Sequence, residues 1–160
     1  MRLVPIKIFM SILMLIWSAS GQNVYAHCQI PCGIYDDHAR YLGMLEDSKT
    51  VEKATSQIIV LSDNVGSKQT SQPMAHEYNQ LVRWIASKES HAEKVIATVT
   101  NYFLTQRVKP NQENYLGRLE KHHAVILAAM KVKQSASTAA SRSLTVAIQD
   151  LASYYPKHEH

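Results

Sequence analysis

Glycine and proline are so sparse after residue 33 that the chain has little choice but to form long helices. Beyond Gly33, only Gly43 precedes Gly66, and the only prolines that remain are Pro73, Pro110 and Pro156. Strands need frequent turns, and turns need such residues. Asp36 and Asp37 can cap and charge a first helix running to about Asn64, with Leu42, Leu45, Val51, Ile58 and Leu61 recurring near helical spacing. Residues 66–72 read as a loop. Pro73 suits the first turn of a second helix carrying Leu81, Ile85, Lys88, Ala92, Val95, Val99 and Tyr102 and ending by Pro110. Asn111 can cap a third helix with Tyr115, Leu119, His122, Ile126 and Met130. After a Ser/Ala-rich break near 135–138, a fourth helix carries Leu144, Ile148 and Leu151 until Pro156 stops it. The fold class expected is all-α, an antiparallel four-helix bundle. No strand pair, internal repeat or Gly-rich phosphate loop competes with it.

Ahead of these helices stands a stretch with the marks of a secretory leader. Arg2 and Lys7 form a positive n-region, and Ile8 to Trp17 is an apolar run of about ten residues, too short to span a bilayer. Val24-Tyr25-Ala26 has the small-x-Ala pattern that signal peptidase accepts, which places the cut between Ala26 and His27. A competing cut after Ser20 or Gly21 would leave His27 internal. Residues 1–26 are therefore expected to be a signal peptide and 27–160 one mature domain, exported to a periplasm or the extracellular space, with no stable membrane association after cleavage. Removing 26 of 160 residues leaves 134, enough for one modest core and too few for two. The mature chain keeps 15 Lys+Arg against 13 Asp+Glu, scattered through helical sequence, which is no nucleic-acid footprint.

At that cut lies His27-Cys28-Gln29-Ile30-Pro31-Cys32-Gly33. If His27 becomes the amino terminus, an α-amine, an imidazole and two thiols fall within six residues. Few functions need those groups so close together except the gripping of a soft or borderline transition metal. The pattern His-Cys-x-x-Pro-Cys-Gly-x-Tyr-Asp, carried by His27, Cys28, Pro31, Cys32, Gly33, Tyr35 and Asp36 ahead of an all-helical chain, resembles the nickel-containing superoxide dismutases. The resemblance implies a metal-binding hook over residues 27–35 on a four-helix bundle, one nickel ion per chain, superoxide as substrate and a homohexameric assembly.

The donor chemistry agrees with that implication. Two thiolates, an amine and a deprotonated backbone amide suit a square-planar d8 ion, and they donate enough charge to bring the Ni(III)/Ni(II) couple within reach of superoxide. Cys28 and Cys32 would supply the thiolates, the Cys28 backbone nitrogen the amidate, and the His27 amine the fourth ligand. The resemblance assigns the His27 imidazole as a fifth ligand in the oxidised state. An internal His27 could not act in this way, because its nitrogen would be a peptide amide.

Other residues of the hook carry two readings each. Pro31 is either a cis proline that tightens the turn toward Cys32 or an ordinary trans loop proline. Gly33 supplies backbone freedom where the hook leaves the metal. Tyr35 is either a packed aromatic or, by resemblance, a hydroxyl beside the open face of the metal that orients superoxide or water. Gln29 stands where an acidic residue is found in some family members. The resemblance also implies an arginine on the second helix that holds the imidazole through an acidic partner, and Arg83 with Glu46 are the candidates.

His122-His123 is adjacent rather than spaced by four, so one ring faces the core while the other points elsewhere. His158 and His160 fall in a terminal tail. Two rival functions remain at this point. One is an exported helical binding or structural protein with a Cys28–Cys32 disulfide, which accounts for the even cysteine count but not for the histidine at the cut. The other is a redox-inert metal carrier with the same hook. A thioredoxin-like enzyme is disfavoured, since three residues separate the cysteines and no βαβ pattern follows.

Overall fold

A computed structural model describes residues 36–67 and 71–157, apart from the side chains of residues 67 and 71–73. The expected leader at 1–26, the expected hook at 27–35 and the tail at 158–160 lie outside the described residues. Within them the protein is all-helical, and no strand occurs. None of the described helices is long and apolar enough to cross a membrane.

Helix α1 spans Asp37–Ser67. Asp36 starts it as expected, since its Oδ1 accepts the backbone N–H groups of His38 at 2.8 Å and Ala39 at 3.2 Å. Those donors would otherwise lack partners in the first turn of a helix. Helix α2 spans Ser71–Ala97, with Pro73 in its first turn. Gly66, Ser67, Ser71 and Gln72, expected in a loop, are thus helical, and only residues 68–70 separate the two helices. One glycine in a helix costs about 1 kcal/mol relative to alanine, and the continued backbone hydrogen bonding of a long packed helix offsets it.

Without a break α2 passes into a π-helical segment, Thr98–Arg107, that stops short of Pro110. A turn follows in which the Gln112 side chain accepts the Lys109 N–H at 2.8 Å and the Gln112 N–H reaches the Lys109 carbonyl at 3.1 Å. This closed turn delays the next helix, so Asn111 does not cap it. Helix α3 spans Tyr115–Gln134, and the residue before it, Asn114, is left-handed at φ 55°, a conformation asparagine tolerates better than most residues. The Asn114 amide donates to the Tyr154 hydroxyl at 3.1 Å. Gly117 is what leaves room for that amide, because a Cβ there would sit 2.5 Å from Asn114 Oδ1.

Helix α4 spans Thr138–Gln149, capped by Ser137, whose Oγ accepts the Ala140 N–H at 3.3 Å. It ends at Gln149, short of the stop expected at Pro156, and a short 3-10 turn at Ala152–Tyr154 follows.

The helices pack in a ring, α1 on α2, α2 on α3, α3 on α4 and α4 on α1. Cross-contacts show each neighbour running antiparallel. Between α1 and α2, Asp47 meets His91 at 2.6 Å and Lys53 lies over the Trp84 ring. Between α2 and α3, Lys133 meets Glu93 at one level and Phe103 meets His122 at another. Between α1 and α4, Thr145 donates to Glu52 at 2.5 Å, while His38 near the start of α1 reaches the carbonyl of Tyr155, beyond the end of α4.

The middle of the core is aliphatic and small-residue, with Met44, Val51, Ala92, Val95, Val99, Val125, Ala129 and Leu144 all buried. Leu42, Ile85 and Met130, expected on buried stripes, are instead 48, 40 and 44 % exposed. Buried Ser48 and Thr55 take part of the α1 face, and small side chains there let the helices approach closely. On α3 the buried line is His122, Val125, Ala129 and Val132, so the face is turned by one residue, about 100°, from the one drawn through Ile126 and Met130.

Candidate metal centre

His27, Cys28, Gln29, Pro31, Cys32, Gly33 and Tyr35 all fall outside the described residues. Among the described residues, no group of three or more His, Cys, Asp or Glu side chains could hold a metal ion. The donor chemistry of the seven-residue segment fits nickel: both cysteines of the chain, Cys28 and Cys32, stand in the sequence near His27, and thiolate with imidazole is a donor set for borderline to soft ions.

Arg83 and Glu46 lie on α2 and α1 as expected, but both are exposed and no ion pair joins them among the described contacts. The acid–base contact that does join these two helices at mid-height is His91 Nδ1 with Asp47 Oδ1 at 2.6 Å, both partly buried. Asp47 is one residue from Glu46, and one helical step, about 100°, is enough to move a side chain from solvent to the interhelical seam.

Directly after the expected hook, the structure gathers a polar and aromatic cluster at the start of α1. The Tyr102 hydroxyl donates to Asp37 Oδ1 in a very short hydrogen bond. Arg107 Nε donates to the same oxygen at 2.7 Å, and Arg107 Nε and Nη2 donate to the Tyr102 oxygen at 3.1 and 2.9 Å. Arg40 and Arg107 also lie over the Tyr102 ring, 5.7 and 5.1 Å from its centroid, where a cation is attracted by the π face.

Burial raises the Tyr102 pKa, its hydrogen bond to Asp37 raises it further, and Arg107 only partly opposes them. For Arg107 burial works against the cation, but hydrogen bonds to Tyr102 and Asp37 outweigh it and raise the pKa. The phenol thus stays protonated and the guanidinium charged at any ordinary pH.

A second network ties the last described residues to the same end. His38 Nδ1 donates to the Tyr155 carbonyl at 2.9 Å, and a carbonyl can only accept, so the Nδ1 proton is required. The Tyr155 hydroxyl donates to His122 Nε2 at 2.7 Å, while His122 Nδ1 donates to the Arg118 carbonyl at 2.6 Å. Burial lowers the His122 pKa against the opposing pull of the Arg118 carbonyl. Burial also raises the Tyr155 pKa far above that of a free phenol. His122 is therefore a neutral core histidine, and it is the member of the His122-His123 pair that faces the core, with His123 exposed.

Neither Asp37 nor Arg107 was selected by the sequence as a site residue. Their signal was the spacing from Tyr102 to Arg107, five residues, which marks one face only when the helix is of the π type.

A chain that is helical throughout its described residues, with two cysteines and a histidine within six residues ahead of α1, has the composition of a helical metalloprotein. The family model described as nickel-containing superoxide dismutase matches residues 22–159, nearly the whole chain. The chain belongs to that family. It is a superoxide dismutase, an oxidoreductase that uses nickel and acts on superoxide. No curated protein and no solved structure shows significant similarity to it.

Proposed function

We propose that the mature protein begins at His27 after signal peptidase removes residues 1–26, is exported to a periplasm or the extracellular space, and holds one nickel ion per chain in an N-terminal hook at 27–35 on an antiparallel four-helix bundle. The single observation that carries the reading is the run His27-Cys28-Gln29-Ile30-Pro31-Cys32-Gly33 immediately after Val24-Tyr25-Ala26. It places a terminal amine, an imidazole and two thiols together only if the cut falls at Ala26.

Cys28 and Cys32 would hold nickel through thiolates, with the His27 amine and the Cys28 backbone nitrogen completing the set and the His27 imidazole as a further donor. When bound, nickel supplies the one-electron couple through which two superoxides and two protons yield dioxygen and hydrogen peroxide. The chain's own part is to make that couple accessible and to control what approaches. Thiolate and amidate donors lower its potential. Pro31 and Gly33 set the path of the backbone between and after the two sulfurs, and the Tyr35 hydroxyl orients superoxide or water. Gln29 keeps a backbone amide where a side-chain carboxylate would add charge.

The homohexamer implied by the family has a candidate surface in Tyr78, Val82 and Ile85, spaced along one face of α2 and 49, 63 and 40 % exposed. Apolar patches of this kind commonly mark association surfaces.

Intact mass and metal analysis of the exported protein test the reading directly. The expected result is a mass starting at His27 with about one nickel per chain and free thiols. Active protein that retains residues before His27 would remove the amine from the ligand set. His27→Gln keeps the amine and both sulfurs, so nickel should remain while turnover falls steeply; undiminished turnover would remove the imidazole from the reaction.

A further inference from the structure

We infer that Asp37 and Arg107 are positioning residues for the nickel centre, and that the π-helical segment Thr98–Arg107 exists to make their contact. The inference rests on the reading that residues 27–35 hold the metal. Asp37 follows Tyr35 by two residues and Cys32 by five, so whatever fixes Asp37 fixes the point from which the metal-binding segment leaves the helices.

Three features separate this cluster from ordinary helix packing. First, Asp37 is not needed as a cap. Asp36 already accepts the N–H groups of His38 and Ala39, and the Asp37 carboxylate is turned aside to the Tyr102 hydroxyl and to Arg107 Nε at 2.7 Å.

Second, the contact depends on an uncommon backbone. In an α-helix, residues five apart are about 140° apart around the axis, and Arg107 could not fold back over Tyr102. In the π-helical register, bonds run between residues five apart. The Val108 N–H reaches the Phe103 carbonyl at 2.9 Å, the Thr105 hydroxyl reaches the Thr100 carbonyl at 2.6 Å, and Arg107 Nη2 reaches the Tyr102 oxygen at 2.9 Å. π-Helical turns are rare and concentrate at functional sites.

Third, a partly exposed ion pair adds little to stability, and a π-helix adds less than an α-helix of the same length. Stability alone is a weak reason for the arrangement. Geometry is a strong one. One aspartate oxygen receives donors from two residues of another helix, and the ring of Tyr102 is packed on the core by Phe103 at 5.1 Å. The first turn of α1 is thereby fixed in rotation and height against the α2 extension. Metal sites demand such support, because ligand placement within fractions of an ångström decides how tightly a metal is held and how it reacts.

The test uses the nickel-loaded mature protein and three substitutions, Asp37→Asn, Arg107→Gln and Tyr102→Phe, with the Asp37→Asn/Arg107→Gln double variant. Asp37→Asn and Tyr102→Phe are nearly isosteric, which keeps the helices packed. The readouts are the rate of nickel release to excess EDTA in fully folded protein, turnover, and the thermal midpoint. Each single variant should release nickel about tenfold faster and lose turnover, with helicity unchanged, and the double variant should be no worse than the faster single one, as expected of residues acting as a unit. Release and turnover equal to wild type, whether or not the thermal midpoint falls, would overturn the inference and leave a merely structural contact. Multiplicative effects in the double variant would also overturn it. The wild-type control tests the underlying reading separately, since protein that holds no nickel or does not begin at His27 fails before any variant is compared.

Discussion

The middle of the helical core and its end at the start of α1 are built on different principles. The middle is Met44, Val51, Ala92, Val95, Val125, Ala129 and Leu144, side chains that need only volume and an apolar neighbour. The end is Asp37, Arg40, Tyr102, Arg107, His122 and Tyr155, whose positions depend on directed hydrogen bonds and ring contacts. Apolar packing tolerates exchanges that conserve volume, whereas a hydrogen-bond network fails when one member is removed. The chain thus keeps apolar volume and directed hydrogen bonding in separate places, and the hydrogen-bonded end is the one that follows residues 27–35, the segment proposed to hold the metal, in the sequence.

Substitutions can break this division, and the largest effect is expected outside both regions. Cys28→Ser and Cys32→Ser should each abolish nickel binding and dismutase activity, because a hydroxyl is a hard, weakly acidic replacement for a thiolate. Helicity should remain, since neither sulfur belongs to the described core. Nickel analysis and circular dichroism of the same sample check both halves of the expectation.

Next in size is Leu144→Ala in the middle. Leu144 is fully buried, and its truncation should cost about 2–5 kcal/mol in urea unfolding while leaving nickel release by the folded protein unchanged. Faster release would show that the middle and the end are coupled.

Lys88→Met probes the opposite end of α3. The Lys88 ammonium, on a side chain only 5 % exposed, donates to the carbonyls of Val132 at 2.6 Å, Lys133 at 3.2 Å and Ser135 at 3.3 Å, with Glu89 as its counter-ion at 2.9 Å. It thus caps a helix from a neighbouring one. Loss of the donor should cost about 1–3 kcal/mol through the carbonyls left behind, read as a lower urea midpoint with turnover per bound nickel intact.

The smallest effect is the pH dependence owed to His122. Burial lowers its pKa in the folded protein, so its contribution to stability is full above the unfolded value of about 6.5 and is lost as the pH falls through the lowered folded value. His122→Gln should therefore reduce the loss of stability between pH 7 and pH 5, measured as the shift in urea midpoint between the two. An unchanged shift would assign the acid sensitivity to other groups.

Much of the fold was legible in advance because helix boundaries are written in local chemistry. Asp36 as a cap, Pro73 in a first turn, the end before Pro110 and the break at 135–137 each depend on residues within one or two turns of each other. The face of α3 and the exposure of Leu42 and Ile85 were not legible, since a helix with apolar residues on several sides is oriented by its partners. The run at 27–33 is consecutive in the sequence and lies outside the described residues; the family match assigns nickel to the chain as a whole.

By itself the sequence determined that the chain is helical, where most helices begin and end, and which residues carry the thiols and the imidazole, all matters of neighbouring residues and intrinsic chemistry. Tertiary structure alone decided that Asp37 meets Tyr102 and Arg107 across 65 and 70 residues and that His91 meets Asp47 of α1. It also decided that Tyr155 binds both His38 and His122. Such pairings depend on helix rotation and on a change of helical register, and both are set by the sum of many packing contacts rather than by any local run of residues.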